Sequence, residues 1–281
     1  MLINKKIKKD WDSNNVVSFL KNKNINILIT ITTYKRQKEL IDILENLSCS
    51  LKITQYSYFV LVLHDGLKDV DLKNDLAKFE IEIISILHRL FGNNAAILFA
   101  ARNHGKREFW KTHHFILNTA KIVNCDYLLS MQDDLDFSSD IINTAFKMWK
   151  SIKTIDSEFH VLSLFSTETD DPFGRWINFF RIDFSELKVR RTDWFDLPCF
   201  LIDRRGLAIL NFSVLPISPK RWSLDCNLSS GVGEQLTRRL FNKCSIYQCY
   251  PPLVFHGKST SEMHYQERMK NPLDNRNLSS S

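Results

Sequence analysis

Strand-length apolar runs alternate with segments of helical periodicity through the first half of this chain, and few folds accept that rhythm. The runs are Ile25 to Thr32, Tyr58 to Leu63 and the stretch that opens Asp126 to Asp136. Each is nearly continuous in apolar residues, as expected of strands covered on both faces. Between them, Leu40, Ile41, Ile43, Leu44 and Leu47 recur at helical spacing over Lys38 to Leu47, and an amphipathic segment runs on to Leu90. Ala95 to Ala100 reads as a short strand, and a helix is expected from about Glu108 to Ile122. Strands and helices in this alternation predict βαβ units, hence an α/β fold with a mostly parallel sheet flanked by helices.

The second half is less regular. A helix is expected over Ile141 to Ile152, short strands over Val161 to Phe165 and Phe200 to Ile202, and a turn into helix over Arg204 to Leu210. Phe173 to Phe184 is rich in aromatics without a clear period. A helix from about Glu234 to Phe241 and a strand near Ser245 to Tyr250 precede Val254-Phe255-His256. Residues 257 to 281 are polar and read as a C-terminal tail. One catalytic-size domain over residues 1 to 256 is therefore expected, with halves at 25 to 137 and 138 to 256.

Composition is that of an ordinary globular chain, with 44% hydrophobic and 25% charged residues among 281. The formal net charge of +6 favours anionic partners such as phosphates, acidic glycans or a membrane surface, but singles out none. No run approaches the roughly 20 apolar residues of a membrane span, and the Lys-rich N-terminus lacks the apolar core of a signal peptide. A soluble, cytoplasmic protein with no transmembrane segment is expected, peripheral membrane association remaining compatible. No nucleic-acid-binding module is recognisable, so no nucleic acid partner is expected. The six cysteines show no close Cys-x-x-Cys pairing and read as reduced structural thiols.

The run from Asp126 ends abruptly in Asp133, Asp134 and Asp136. Acids delivered to the carboxyl end of a buried strand lie where open α/β sheets build ligand sites. Three carboxylates at close quarters raise one another's pKa unless something positive compensates, and a divalent cation shared with a diphosphate would do so. Capping of the next helix, with Ser138 or Ser139 at its N-cap, accounts for one acid rather than three. Asp65 is an independent acid at the end of the second run.

Several of these segments, in order, resemble the GT-A fold glycosyltransferases, and family 2 of the nucleotide-diphospho-sugar transferases in particular. Ile29 to Arg36 resembles the opening strand and Thr-Tyr-Asn-Arg loop, with Lys35 in place of the Asn. Val62-Leu63-His64-Asp65-Gly66 resembles the second strand, whose Asp reads the nucleoside. Asn103-His104-Gly105 is similar to the Asn-x-Gly loop, and Gln132-Asp133-Asp134 to the Asp-x-Asp motif with an amide at its first position. Gly233 to Leu240 is similar to the Gly-Glu-Asp-x-x-Leu-x-x-Arg-Leu element, with Gln235 where the catalytic Asp usually stands. Pro251 to His256 resembles the closing Pro-x-x-x-x-His. The likeness covers about residues 26 to 256.

The resemblance implies a GT-A, Rossmann-like domain with a nucleotide-sugar half (25 to 137) and a smaller mixed acceptor half (138 to 256). It implies transfer of a sugar from a nucleotide diphosphate donor, UDP-linked by preference, to a hydroxyl of a glycan or glycoconjugate, with Mn²⁺ or Mg²⁺ as cofactor and inversion at the sugar. Donor contacts would fall on Thr32, Tyr34, Arg36, Asp65, Asn103, Gly105, Arg107 and Asp133, and metal contacts on Asp134, Asp136 and His256. Glu234 would accept the acceptor's proton, with Asp225 the second candidate. The alternative from another class is a catalytically silent nucleotide- or glycan-binding protein, since Gln132 and Gln235 are amides and cannot act as bases. A nucleotidyltransferase would normally carry a Gly-rich phosphate loop, and Thr32 to Lys38 has no glycine. His113 and His114 are expected on a helix surface, His104 in a loop.

Overall fold

A computed structural model describes residues 20, 23–66, 73–100, 102–165, 182–184, 187–192, 197–215, 232–250 and 252–257. Its centre is β1 (Ile27–Thr33), every residue of which is buried. β1 pairs in parallel with β2 (Tyr58–His64) on one side and β4 (Tyr127–Gln132) on the other, with Thr33 opposite His64 and Thr32 opposite Gln132. β3 (Ala95–Phe99) extends the parallel group beyond β2.

The connecting segments are α1 (Gln37–Lys52), α2 (Lys73–Phe91) and α3 (Gly105–Val123). Side chains alternate between two cores because successive residues of a strand face opposite ways. Ile27, Ile29, Ile31, Val60 and Val62 pack with α1, α2 and α4 (Ile141–Ile155). Leu28, Phe59, Leu61 and Leu63 pack with α3, α5 (Arg204–Ile209) and α6 (Val232–Phe241). Burial on both faces is why these strands read as near-continuous apolar runs.

Beyond β4 the sheet becomes mixed. β9 (Cys199–Asp203) lies antiparallel between β4 and β6 (Phe159–Ser163). β10 (Ser245–Tyr250) runs parallel to β6, and β8 (Leu187–Thr192) and β7 (Ile182–Phe184) follow antiparallel, giving the order β3-β2-β1-β4-β9-β6-β10-β8-β7. A small second sheet pairs β5 (Leu135–Phe137) with β11 (Val254–His256), setting His256 opposite Leu135.

Two local expectations change. The N-cap of α4 is Asp140, which accepts hydrogen bonds from the hydroxyls of Ser138 and Thr144, not Ser138 or Ser139. β5 intervenes between the acids of β4 and this helix, so Asp133 and Asp134 do not cap it. His113 is 2% exposed and points inward, because its position on α3 shares a face with Ile116, Leu117 and Ala120 in the core. His104 lies in the loop before α3, as expected, and is buried there. Among the described residues Cys49, Cys125, Cys199, Cys244 and Cys249 are free thiols, all but Cys49 buried, and no helix is long and apolar enough to cross a membrane.

Candidate functional site

The carboxyl ends of β1, β2 and β4 meet at one edge, and the acids of the third apolar run lie there. Asp133 and Asp134 leave the end of β4 in the turn that leads to β5, and both are buried, at 5% and 3% exposure. The loop after β1 closes over them. The Tyr34 backbone N–H donates to Asp133 Oδ2 at 3.0 Å, and Arg36 Nη1 lies 3.2 Å from Asp133 Oδ1 and 2.7 Å from Asp134 Oδ2. Since β1 and β4 are neighbours in register, the loops that follow them are bound to meet.

β11 brings the fourth group. Its pairing with β5 places His256 Nδ1 3.5 Å from Asp134 Oδ2, while the Gly257 N–H donates to the Asp134 carbonyl at 2.7 Å. Phe165 packs edge-on against the His256 ring, centroids 4.6 Å apart. The last described strand therefore finishes a site begun at residue 133. Gly257, read from sequence as the start of the tail, is tied to it.

Two buried acids side by side are electrostatically costly. Burial first, and then the charge of Asp134, push the Asp133 carboxyl up to about 7, with Arg36 opposing the shift. On Arg36, burial acts to lower the pKa, but the two carboxylates outweigh it and the guanidinium is raised. The donors suit a hard divalent cation: carboxylate oxygens and one imidazole nitrogen accommodate Mg²⁺ or Mn²⁺. Asp136 is exposed between the buried Leu135 and Phe137, and so faces away from this cluster. Among the described residues no three acid, histidine or cysteine side chains form a ready-made metal shell. A bound cation would draw further ligands from phosphate and water, as Mg²⁺ commonly does.

A second cluster forms at the end of β2. Asp65 Oδ1 accepts from the His104 N–H at 2.7 Å and lies 2.9 Å from His104 Nδ1, while Oδ2 accepts from Asn103 Nδ2 and the Gly105 N–H, both at 3.0 Å. Three residues expected around a donor, Asp65, Asn103 and Gly105, are thus brought together, and they bind one another. The carboxylate sits at the N-terminus of α3, where acceptor and negative charge are both favourable. Gly66 permits this approach, since a Cβ there would lie 2.6 Å from the Ala100 carbonyl oxygen.

His64, not singled out in the sequence, is 1% exposed in a box of rings. Its centroid is 5.1 Å from Phe79, 5.2 Å from Phe99 and 6.4 Å from Tyr34. Burial lowers its pKa to about 4, keeping the imidazole neutral. Its place as the last residue of an apolar run was the available signal. Thr32 is buried beside the site, its hydroxyl 3.5 Å from the Met131 carbonyl. Arg107 lies on α3 and Glu234 on α6, but their side chains fall outside what is described, as does Asp225 altogether.

No protein-family model and no curated protein sequence matches the chain. Solved structures do. The chain is similar to S. aureus TarS 1-349 with a TM-score of 0.50 and 13% identity, over 81% of this chain and 61% of that one. The same fragment in complex with UDP gives 0.50 and 13% over 80% and 60%, and in complex with UDP-GlcNAc 0.50 and 11% over 85% and 60%. The chain thus spans about three-fifths of the fragments it resembles. Identity this low carries architecture alone, and the architecture is clear: a large, partly antiparallel sheet flanked by helices makes this an α/β protein of the GT-A fold.

Proposed function

We propose that the protein is a metal-dependent glycosyltransferase that moves a sugar from a nucleotide diphosphate donor, UDP-linked by preference, to a hydroxyl of a glycan acceptor. The observation that carries this reading is the buried Asp133–Asp134 pair at the carboxyl end of β4, with His256 brought to 3.5 Å of Asp134 by β11. Similarity in fold to TarS, solved with UDP and with UDP-GlcNAc, supports the choice of donor.

In this reading residues 25 to 137 hold the nucleotide-sugar and residues 138 to 256 the acceptor. Tyr34 and the Asp65 cluster flank the nucleoside, and Arg36 faces the diphosphate. Asp134 and His256, with Asp133 beside them, would hold Mn²⁺ or Mg²⁺, which when bound supplies Lewis-acid stabilisation of the departing diphosphate. An acceptor hydroxyl is a weak nucleophile, so a carboxylate must take its proton as the new C–O bond forms. Glu234 on α6 is the first candidate and Asp225 the second. A single displacement of this kind inverts the anomeric centre.

The test is release of UDP from a panel of UDP-sugars with Mn²⁺ by wild type and Asp134→Ala. Wild type should turn over at least one donor, and loss of a metal-bound carboxylate should lower the rate by a factor of about 100 or more, in the range seen for electrostatic groups of active sites. Full turnover by the variant would overturn the assignment.

A further inference from the structure

One nitrogen of Arg36 stands between the two acids, 2.7 Å from Asp134 Oδ2 and 3.2 Å from Asp133 Oδ1, on a side chain only 14% exposed. The Asp134 oxygen that it holds is the same one that faces His256 Nδ1. A guanidinium thus already lies where the carboxylates and the imidazole converge.

We infer that Arg36 is an exchangeable internal counter-ion, which offsets part of the acid pair's charge while no cation is bound and swings onto the donor's diphosphate when a divalent cation is taken up. The inference rests on the functional reading above and deepens it, because it predicts that cation and nucleotide bind cooperatively through this residue.

Three features point to exchange rather than a fixed ion pair. A divalent ion on Asp134 Oδ2 and a guanidinium at 2.7 Å from that oxygen would repel strongly at low dielectric, so the two states exclude one another. Arg36 precedes α1 at the carboxyl edge of the sheet, where phosphate groups of ligands lie in open α/β folds, and a guanidinium pairs with phosphate in bidentate fashion. Its backbone is set by the turn at Lys35, so the exchange needs only side-chain torsions. Without nucleotide, a cation must break the Arg36 pairs and leave the guanidinium stranded. With nucleotide present, Arg36 has a new partner, and reciprocity requires the nucleotide to gain equally from the cation.

Mn²⁺ binding should be measured directly, by the electron paramagnetic resonance signal of the free ion, on wild type and Arg36→Gln with and without UDP. Association of Mn²⁺ with UDP in solution is common to both proteins and cancels. Arg36→Gln should bind Mn²⁺ alone about tenfold more tightly than wild type, and the enhancement by UDP should be about tenfold smaller than in wild type, a coupling of ordinary size. Arg36→Lys keeps the charge and guards against a variant that does not fold: it should bind Mn²⁺ alone as weakly as wild type, with the UDP enhancement reduced severalfold. Mn²⁺ affinity unchanged or weakened in Arg36→Gln, or full coupling in Arg36→Lys, would overturn the inference. Failure of wild type to bind Mn²⁺ even with UDP would instead remove the functional reading on which it stands.

Discussion

Lys35 has a φ of 58°, a left-handed conformation that L residues other than Gly, Asn and Asp rarely adopt. The turn is needed, for it carries the chain from β1 back over the end of β4 so that Tyr34 and Arg36 reach the acids. The Asn of the Thr-Tyr-Asn-Arg loop that this segment resembles suits that conformation, because a short amide side chain tolerates it. Lys35→Asn should therefore raise stability by about 0.5–1 kcal/mol, readable as a shift in the urea midpoint with unchanged m-value. Gly66→Ala should do the opposite. Its Cβ would meet the backbone at Ala100 and Arg102 rather than a movable side chain, and a cost of about 1–3 kcal/mol is expected. Asp65 is the residue whose role was only half legible. Its place at a strand end marked it as important, but its capture by the 103–105 loop depends on spatial proximity that a linear sequence does not encode.

Elements were legible in proportion to how completely they are buried. β1, β2 and β4 lie between two layers of helices, and such strands write themselves as apolar runs. The helices show their inner stripes, although His113 hides within one because an imidazole reads as polar while its ring packs edge-on against Phe109. What periodicity could not give was neighbourhood. Nothing in Phe200 to Ile202 announces that β9 runs antiparallel between β4 and β6. Nor does β11 reveal β5 as its partner, and so the approach of His256 to Asp134 was an expectation of family resemblance rather than of pattern. α6 has a structural anchor of its own, since Arg239 donates to the carbonyls of Leu210, Ser213 and Leu215 beyond α5. Arg239→Ala should consequently unseat the helix that carries Glu234, at about 2–3 kcal/mol for hydrogen bonds from a charged group. His256→Ala should separate site from scaffold: Mn²⁺ affinity in the presence of UDP falls about tenfold or more, while the thermal midpoint moves little, the ring being part-exposed at the end of a short strand.

Across the whole molecule, buried titratable groups set a pH profile with two opposing contributions. Burial lowers both His64 and His113 from 6.5 to about 4, so the unfolded chain binds more protons in between. Their stabilising contribution is complete above pH 6.5 and is lost as pH falls towards 4, about 3 kcal/mol each at the limit. Asp133 works in the other sense: raised from 3.8 to about 7, it stabilises the fold below pH 3.8 and loses that contribution as pH rises to 7. In the absence of divalent cations, stability should rise from pH 4.5 to 6.5 because two histidines outweigh one acid. Asp133→Asn should steepen that rise. Urea midpoints across the range check both statements, and a slope identical in the two proteins would contradict the assignment of Asp133.

The pairing of β11 with β5 also has a consequence for biosynthesis. Asp134 emerges from the ribosome well before His256, and the strand order lets β1 to β4 associate in the interval. The proposed ion-holding pocket is nevertheless unfinished until translation has passed Gly257 and the late strand has docked. A product truncated upstream of Val254 would then retain much of the early core and still be unable to assemble the pocket.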